Sequence, residues 1–465
     1  MKPNGFVFIA LLGWPVIALA FFALRREARL GRTTAWMLLI PTMFLPANIG
    51  YDPPLVPELN KHRIAVLAVA LGLQLFHRRQ LLKKAAWHRF PLAVCAVLLA
   101  GVVGTVLTNR QPLVVPHAVL PGLTSYDVLS LGIGLFLDAY LPFWIGQRVF
   151  QTERDLRDLL EVLAICGLIY APLVLLEIRI SPQLHRWVYG YHPSMFLQAM
   201  RSGGFRAIVF MNHGLAVATF LFSCIVASAG LSRARVFWGR VSLAVQWLVL
   251  LLSKSMAPTI YAAVSTILSW LSTRVIARVV LALSIFVIAY PIARSRQWFP
   301  TKALVAAVAK VAPERAQSLD FRFQNEDALL ARAEERATFG WGGFTRNLIY
   351  ADWGQIVSVT DSQWIIALGL GGYVGFLGLF VLFVGPCFRF VRTWRRMEAR
   401  PRILVASLAM MVAFFSLDLL VNSRSDFLPL IYAGALFTLC DRLAGPPPAR
   451  RMPSPGPSPS PSPGR

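Results

Sequence analysis

The chain has 465 residues, of which 56% are hydrophobic and only 15% charged, and its formal net charge is +24. A soluble domain carries about 25% charged residues, so a deficit spread along the whole chain excludes one large soluble core and points to a polytopic membrane protein. The positive charge does not imply a nucleic-acid partner, because Lys and Arg gather in the cytoplasmic loops of membrane proteins and set their topology.

Taken in chain order, hydropathy predicts about thirteen spans, near 6–24, 33–49, 64–77, 90–108, 126–146, 159–176, 207–229, 241–253, 256–273, 275–292, 363–388, 403–421 and 427–444. Runs of this length suit helices crossing about 30 Å of hydrocarbon, where a lipid-facing backbone must satisfy its own hydrogen bonds. The first run, from Phe6, is long for a signal segment and reads as a retained span. The expected fold is therefore all-α: a polytopic transmembrane helix bundle of 12–13 spans with one long ordered extracytoplasmic loop. Its parts are a ten-span bundle over 1–292, the loop over 293–362, three last spans over 363–444, and a disordered Pro/Ser-rich tail over 445–465.

The connecting charges orient these spans. The stretches "RREARLGR" (25–32), "HRRQLLKKAAWHR" (77–89), "LSRARVFWGR" (231–240) and "RFVRTWRRMEARPR" (389–402) all fall on one side, which the positive-inside rule makes cytoplasmic. The N-terminus then lies outside and the C-terminus inside. The outer loops are 50–63, 109–125, 177–206 and 293–362. The last of these carries nine Lys/Arg against eight Asp/Glu, which is not a topogenic pattern. Helical stretches are expected at 303–312 and 326–339, and Arg332 and Arg336, four apart, share a helix face.

Four constellations carry chemical potential. In "LQAMRSGGFRAIVFMNHG" (197–214), Arg201 and Arg206 flank a Ser-Gly-Gly turn, and His213 stands at the edge of the following span. Glycine permits tight backbone with exposed N–H groups, and guanidinium groups match phosphate oxygens. A flexible turn whose arginines reach for headgroups fits equally. In "LLLSKSMAPT" (250–259), Lys254 lies on the side where topology does not ask for a cation; it either reaches for the interface or adds a cation to a phosphate pocket. In the long loop, Arg322, Arg332, Arg336, "FGWGGF" (339–344) with Trp341, and Arg346 precede "SVTDSQW" (358–364). Several guanidinium groups facing a membrane pocket suit a multiply charged anion such as a diphosphate; alternatively they pair with Glu326, Asp327, Glu334 and Glu335. Asp361 is either a general base or the cap of the next helix. Finally, Asp418 and Asn422 are i, i+4 neighbours within "SLDLLVNSRSD" (416–426), as a functional pair or a polar clamp between helices.

The chain has no metal-binding or nucleotide-binding motif, and no metal or cofactor is expected. The five cysteines lie in apolar segments and read as small buried hydrophobes.

In this order and topology the chain resembles the O-antigen polymerase/ligase family of bacterial envelope glycosyltransferases. "RSGGFRAIVFMNHG" is similar to the family's arginine-plus-glycine entry to a central span. "LLLSKSMAPTIYAA" resembles its Ser-Arg-small turn, with Lys254 in place of arginine. "RATFGWGGF" resembles its glycine-rich stretch, and "TDSQWIIALGLGGYVGFLGLF" (360–380) its polar helix start before a glycine-rich span. The resemblance covers roughly 200–385.

It implies an enzyme of the bacterial inner membrane that moves a glycan from a polyprenyl-diphosphate carrier to an acceptor glycan or lipid on the outer face, alongside other envelope polysaccharide assembly proteins. By that resemblance Arg206, Lys254 and Arg336, with Arg322 or Arg346, hold the diphosphate, Asp361 serves the acceptor hydroxyl, and Trp341 and Trp353 offer faces to sugars. Ligases of the family carry a histidine where Asp361 stands, and 293–362 holds none, which points toward a polymerase-like member. The competing readings are a flippase for lipid-linked glycans, with Asp138 and Glu161 as its only acidic candidates near the cytoplasmic end, and a non-catalytic envelope scaffold.

Overall fold

The computed structural model describes residues 3–25, 29–53, 56–83, 89–201, 203–423 and 426–445. Nearly all of the expected tail over 445–465, and parts of the basic stretches 25–32 and 77–89, lie outside the described residues.

The protein is an all-α helix bundle. Among the described residues, eight helices are long and apolar enough to cross a membrane: Phe6–Leu24, Arg89–Thr108, Ser125–Val149, Glu153–Ile180, Gly214–Arg233, Thr273–Ser295, Gln363–Arg396 and Ala399–Asp418. This makes the protein a multi-pass membrane protein in contact with the lipid bilayer. Five shorter helices, Leu30–Phe44, Lys61–Phe76, Phe237–Leu252, Met256–Trp270 and Leu428–Arg442, occupy the remaining predicted spans. At 15 or 16 residues they reach about 24 Å, short of a full hydrocarbon crossing.

Burial sorts the helices. The apolar windows of Gly214–Arg233 and Ala399–Asp418 are 89% and 83% buried, against 28% for Phe6–Leu24, so the first two form the centre and the last faces lipid. Leu428–Arg442 is buried along almost its whole length. It meets Ser125–Val149 through reciprocal glycines: a Cβ on Gly146 would stand 2.2 Å from the Ile431 carbonyl oxygen, and one on Gly434 2.0 Å from that of Phe143. Small residues let two membrane helices approach this closely. Buried polar groups add cross-links: Gln246 Nε2 donates to the Ala164 carbonyl (2.8 Å), and its Oε1 accepts from Ser228 Oγ (2.9 Å).

The connections segregate to two ends. One end carries Arg25, Arg29, 77–83, 150–152, 234–236, 271–272 and 394–398, with ion pairs Arg29–Asp158 (2.9 Å) and Arg400–Glu153 (3.5 Å). The other carries 45–53, 56–60, 181–201, 203–213, 253–255, 296–362, 419–423 and 426–427. The three two-stranded antiparallel hairpins among the described residues pair Gly50–Tyr51 with Leu59–Asn60, Leu113–Val115 with Ala118–Leu120, and Met200–Arg201 with Gly204–Phe205.

Several boundaries differ from expectation. The span expected over 207–229 begins only at Gly214, because residues 207–213 form an irregular approach that ends in the N-cap His213. The helix expected over 326–339 is the C-terminal part of a longer one, Pro313–Glu334. The stretch expected over 303–312 is the helix Thr301–Ala309.

Candidate functional site

A cavity of about 1040 Å³ opens among these loops. Its floor comes from helix starts. Asn60 caps Lys61–Phe76 by accepting from His62 N and Arg63 N, which sets Lys61 and His62 on the first turn at the cavity wall. Its sides come from Arg206, Asn212 and His213, from the turn Lys254–Ser255, and from Asn422 and Asp426. Its roof is the helix Pro313–Glu334, which contributes Arg315, Ser318 and Arg322, and Asp361 stands beside it. An apolar wall of Leu215, Ala216, Phe220 and Ile260 completes it.

Of the residues singled out from sequence, Arg206, His213, Lys254, Arg322, Asp361 and Asn422 thus meet in one cavity. Arg206 is 8% exposed, and its Nη2 donates to Ser255 Oγ at 2.7 Å. Lys254 has φ of 51°, a left-handed conformation uncommon for a residue with a side chain. That backbone joins two antiparallel helices in three residues and sends the ammonium back over Gly204, where a Cβ added to the glycine would lie 2.7 Å from Nζ. His213 Nδ1 accepts from Leu215 N at 3.1 Å, so the ring caps the central helix as well as lining the cavity. Arg322 Nε stands 3.4 Å from Asp361 Oδ2, with both side chains partly exposed; its Nη1 donates to the Val421 carbonyl (3.3 Å).

Asp361 is not the cap of the next helix. The cap position is Ser362, and the first helical amides, Gln363 N and Trp364 N, donate to the Leu419 carbonyl (3.0 and 3.3 Å). Asp361 is left facing the cavity. Asp418 and Asn422 meet within one turn and not across two helices: Asn422 Nδ2 donates to Asp418 Oδ1 at 2.8 Å just past the end of the Ala399–Asp418 helix, which firms the turn that receives those amides.

Other selected residues do not line the cavity. Arg332, Arg336, Arg346 and Trp341 form a separate cluster against the Arg89–Thr108 helix. The guanidinium carbons of Arg332 and Arg336 lie 3.6 and 4.8 Å from the centre of the Trp341 ring. Arg336 Nη1 donates to the Thr108 carbonyl. Arg332 pairs with Glu335 and donates to the Arg346 carbonyl (3.2 Å). Arg346, 1% exposed, donates to the carbonyls of Pro121 (2.7 Å) and Gln111 (3.2 Å). Burial, and then the neighbouring Arg336 and Arg332, push its pKa down. Backbone carbonyls and Glu335 hold these guanidinium groups, and Trp341, 5% exposed, is buried beside Arg332 and Arg336. The expected pointing of Arg332 and Arg336 from one helix face toward the membrane pocket does not hold, because the helix ends at Glu334 and Arg336 lies past it. For Arg201 the structure gives only the backbone, paired with Gly204; its side chain lies outside the described residues.

The glycine-rich stretch "FGWGG" has its own task. The Gln363–Thr393 helix is broken at Gly372 (φ 61°, ψ −164°), and the loop fills the break. Trp341 N donates to the Gly369 carbonyl (2.8 Å), Gly342 N to Leu370 (2.9 Å), Tyr373 N to Ala337 (2.7 Å) and Val374 N to Thr338 (3.3 Å). A Cβ on Gly340 would stand 2.6 Å from Gly372 N. The backbone plug is therefore seated in the discontinuous span by its own hydrogen bonds, while Arg336 and Arg346 tie the same loop to Thr108, Gln111 and Pro121.

Sequence reasoning missed Lys61, His62 and Arg315. Lys61 Nζ donates to the carbonyls of Thr42, Leu45 and Phe210 at 3.0–3.4 Å. It lines the same cavity at the same end of the bundle as Lys254, so the signal that selected Lys254 applies to it too. His62 Nδ1 is buried without a hydrogen-bond partner among the described residues, and its ring stands edge-on to Phe427.

Asp138 is held by Arg63 (2.7 Å), at the cavity end of Lys61–Phe76 and not among the basic loops of the opposite end. Glu161 pairs with Arg157 (2.8 Å) and Arg32 (3.7 Å). The two acids on which a transport reading relied are thus held in ion pairs. Among the described residues no group of three or more His, Cys, Asp or Glu is placed to hold a metal ion.

A comparison with known protein-family models finds no match, and neither does a search of curated protein sequences.

Proposed function

We propose that this protein is a glycosyltransferase of a bacterial inner membrane, with the cavity on the outer face and the C-terminus in the cytoplasm. It takes a glycan from a polyprenyl-diphosphate carrier and passes it to an acceptor glycan or lipid, in company with other polysaccharide assembly proteins. The observation that supports this best is the convergence of Arg206, Lys254, Arg322 and Asp361 on one cavity with an apolar wall. Cations at the end of a bundle where topology does not call for them suit a multiply charged anion. The apolar wall of Leu215, Ala216, Phe220 and Ile260 suits the lipid part of the same molecule.

In this reading Arg206 and Lys254 hold the diphosphate. Arg322 changes partner: without donor it pairs with Asp361, and with donor bound it turns to the diphosphate and releases the carboxylate. Asp361 then accepts the proton of the acceptor hydroxyl as that oxygen bonds to the anomeric carbon. The bond from that carbon to the diphosphate oxygen breaks, and its electron pair leaves on the diphosphate, whose charge the three cations stabilise. Arg332, Arg336, Arg346 and Trp341 act at a distance, by holding the plug in the broken span. The test is glycan transfer by purified protein in liposomes. R206A and D361N are expected to abolish product while the protein stays folded; wild-type product from both would overturn the reading.

A further inference from the structure

We propose that Glu326 is a positioning residue that holds the roof helix in register with the start of the Gln363–Thr393 helix and so sets the Arg322–Asp361 pair; this rests on the function proposed above. Glu326 is 8% exposed and receives three side-chain hydrogen bonds. Tyr290 Oη donates to Oε2 (2.9 Å), while Ser362 Oγ and Trp364 Nε1 both donate to Oε1 (3.0 Å each). Arg294 Nε lies 3.5 Å from Oε2. These four partners belong to the Thr273–Ser295 helix and to the segment that immediately follows Asp361. One carboxylate therefore binds three elements together next to the cavity.

The register follows from helix geometry. Arg322 lies four residues before Glu326 in the same helix, so the two side chains share a face. Ser362 and Trp364 flank the helix start one and three residues after Asp361. Fixing Glu326 on Ser362 and Trp364 brings Arg322 alongside Asp361, where the 3.4 Å pair is found. Arg294 secures the same helix twice more, through Asp327 (2.8 Å) and the Phe323 carbonyl (3.3 Å). Burial pushes the Glu326 pKa up, against the pull of its donors. A carboxylate placed at that disadvantage and still gripped by four side chains serves geometry. It does not line the cavity and is not a catalytic residue.

Two measurements on the full chain test this. The first needs no ligand. R322C/D361C, in a C95A background that removes the only half-buried cysteine, is bridged with a short bis-methanethiosulfonate reagent. Bridging is expected to slow about tenfold when E326A is added and about threefold with E326Q, with no change for Q324A, whose hydrogen bond to Asp320 (2.8 Å) stays within the same helix. Should E326A fail to fold, E326Q carries the test. An unchanged bridging rate in the folded Glu326 variants overturns the proposal. The second measures affinity for farnesyl diphosphate as a lipid-diphosphate probe. R322A and E326A are each expected to weaken it, and the double variant to bind no worse than R322A alone, because both act through one guanidinium. Additive losses would mean that Glu326 only stabilises the fold, and would overturn the proposal. If R322A itself leaves affinity unchanged, the diphosphate reading fails, and the bridging rates still decide the role of Glu326.

Discussion

Replacing Gly372 with alanine perturbs the join between plug and span directly. At φ 61° and ψ −164° the backbone occupies a region essentially reserved for glycine, and another residue there costs about 1–3 kcal/mol. The new Cβ would also lie 2.3 Å from the Thr338 carbonyl oxygen and 2.5 Å from that of Ala337. Residues 337–338 must retreat by roughly 1 Å to relieve this overlap, which weakens the hydrogen bonds they accept from Tyr373 N and Val374 N, each worth about 0.5–1.5 kcal/mol net. Together these give about 2–6 kcal/mol. At about 1.4 kcal/mol per factor of ten, amide exchange at Trp341, Gly342 and Tyr373 should speed up at least about 30-fold. The assay is hydrogen exchange read by mass spectrometry on solubilised protein, with G371A as control, since a Cβ there meets nothing within 4 Å. Protection at 337–342 within threefold of wild type in G372A would refute the plug.

Three further outcomes follow from the same geometry. R346A removes a buried guanidinium from the Pro121 and Gln111 carbonyls and is expected to destabilise by about 1–3 kcal/mol, while the folded fraction binds farnesyl diphosphate within threefold of wild type; a melting temperature unchanged by R346A contradicts the clasp. D361N frees Arg322 from its ion pair, which is partly exposed and so worth about 0–1 kcal/mol; diphosphate affinity should stay the same or rise up to about fivefold as transfer is lost, and a loss of affinity counts against the partner exchange. His185 accepts from Ala47 N through Nε2 and lies against the Tyr191 carbonyl through Nδ1, and burial lowers its pKa to about 4. Because the unfolded chain binds the extra proton between that value and about 6.5, stability should rise with pH across the window, and H185Q should flatten the rise in a melting series from pH 4 to 7.

The helical architecture was largely legible because apolar runs impose it: each of the thirteen runs carries a helix, whether or not the helix is long enough to cross alone. The ends were less so. Residues 207–213 are apolar enough to read as span, yet Ile208 N and Val209 N donate to Glu177, a tertiary contact that composition does not encode. The same limit explains the divided site. Residue type and order selected Arg206 and Lys254 as well as Arg332, Arg336 and Arg346, but type cannot say whether a guanidinium finds an open cavity or a backbone carbonyl. The carbonyls of Gln111, Pro121 and Thr108 lie more than 200 residues away from the arginines they receive. "GWGG" was visible as a break, whereas its partner, the left-handed Gly372, was hidden in a glycine-rich span. Lys61 and His62 were passed over because they stand at the edge of a predicted span beside Arg63, where charges are expected.

The central claim is that cations converging on one cavity serve a lipid-diphosphate-linked glycan. The most direct measurement is transfer of a labelled glycan from its polyprenyl-diphosphate carrier by the protein in liposomes, with R206A, K254A and R322A tested singly and combined. The account predicts product from the wild type, a loss with each single variant and none from the combination. Undiminished product from the combined variant, with the protein folded, would contradict it.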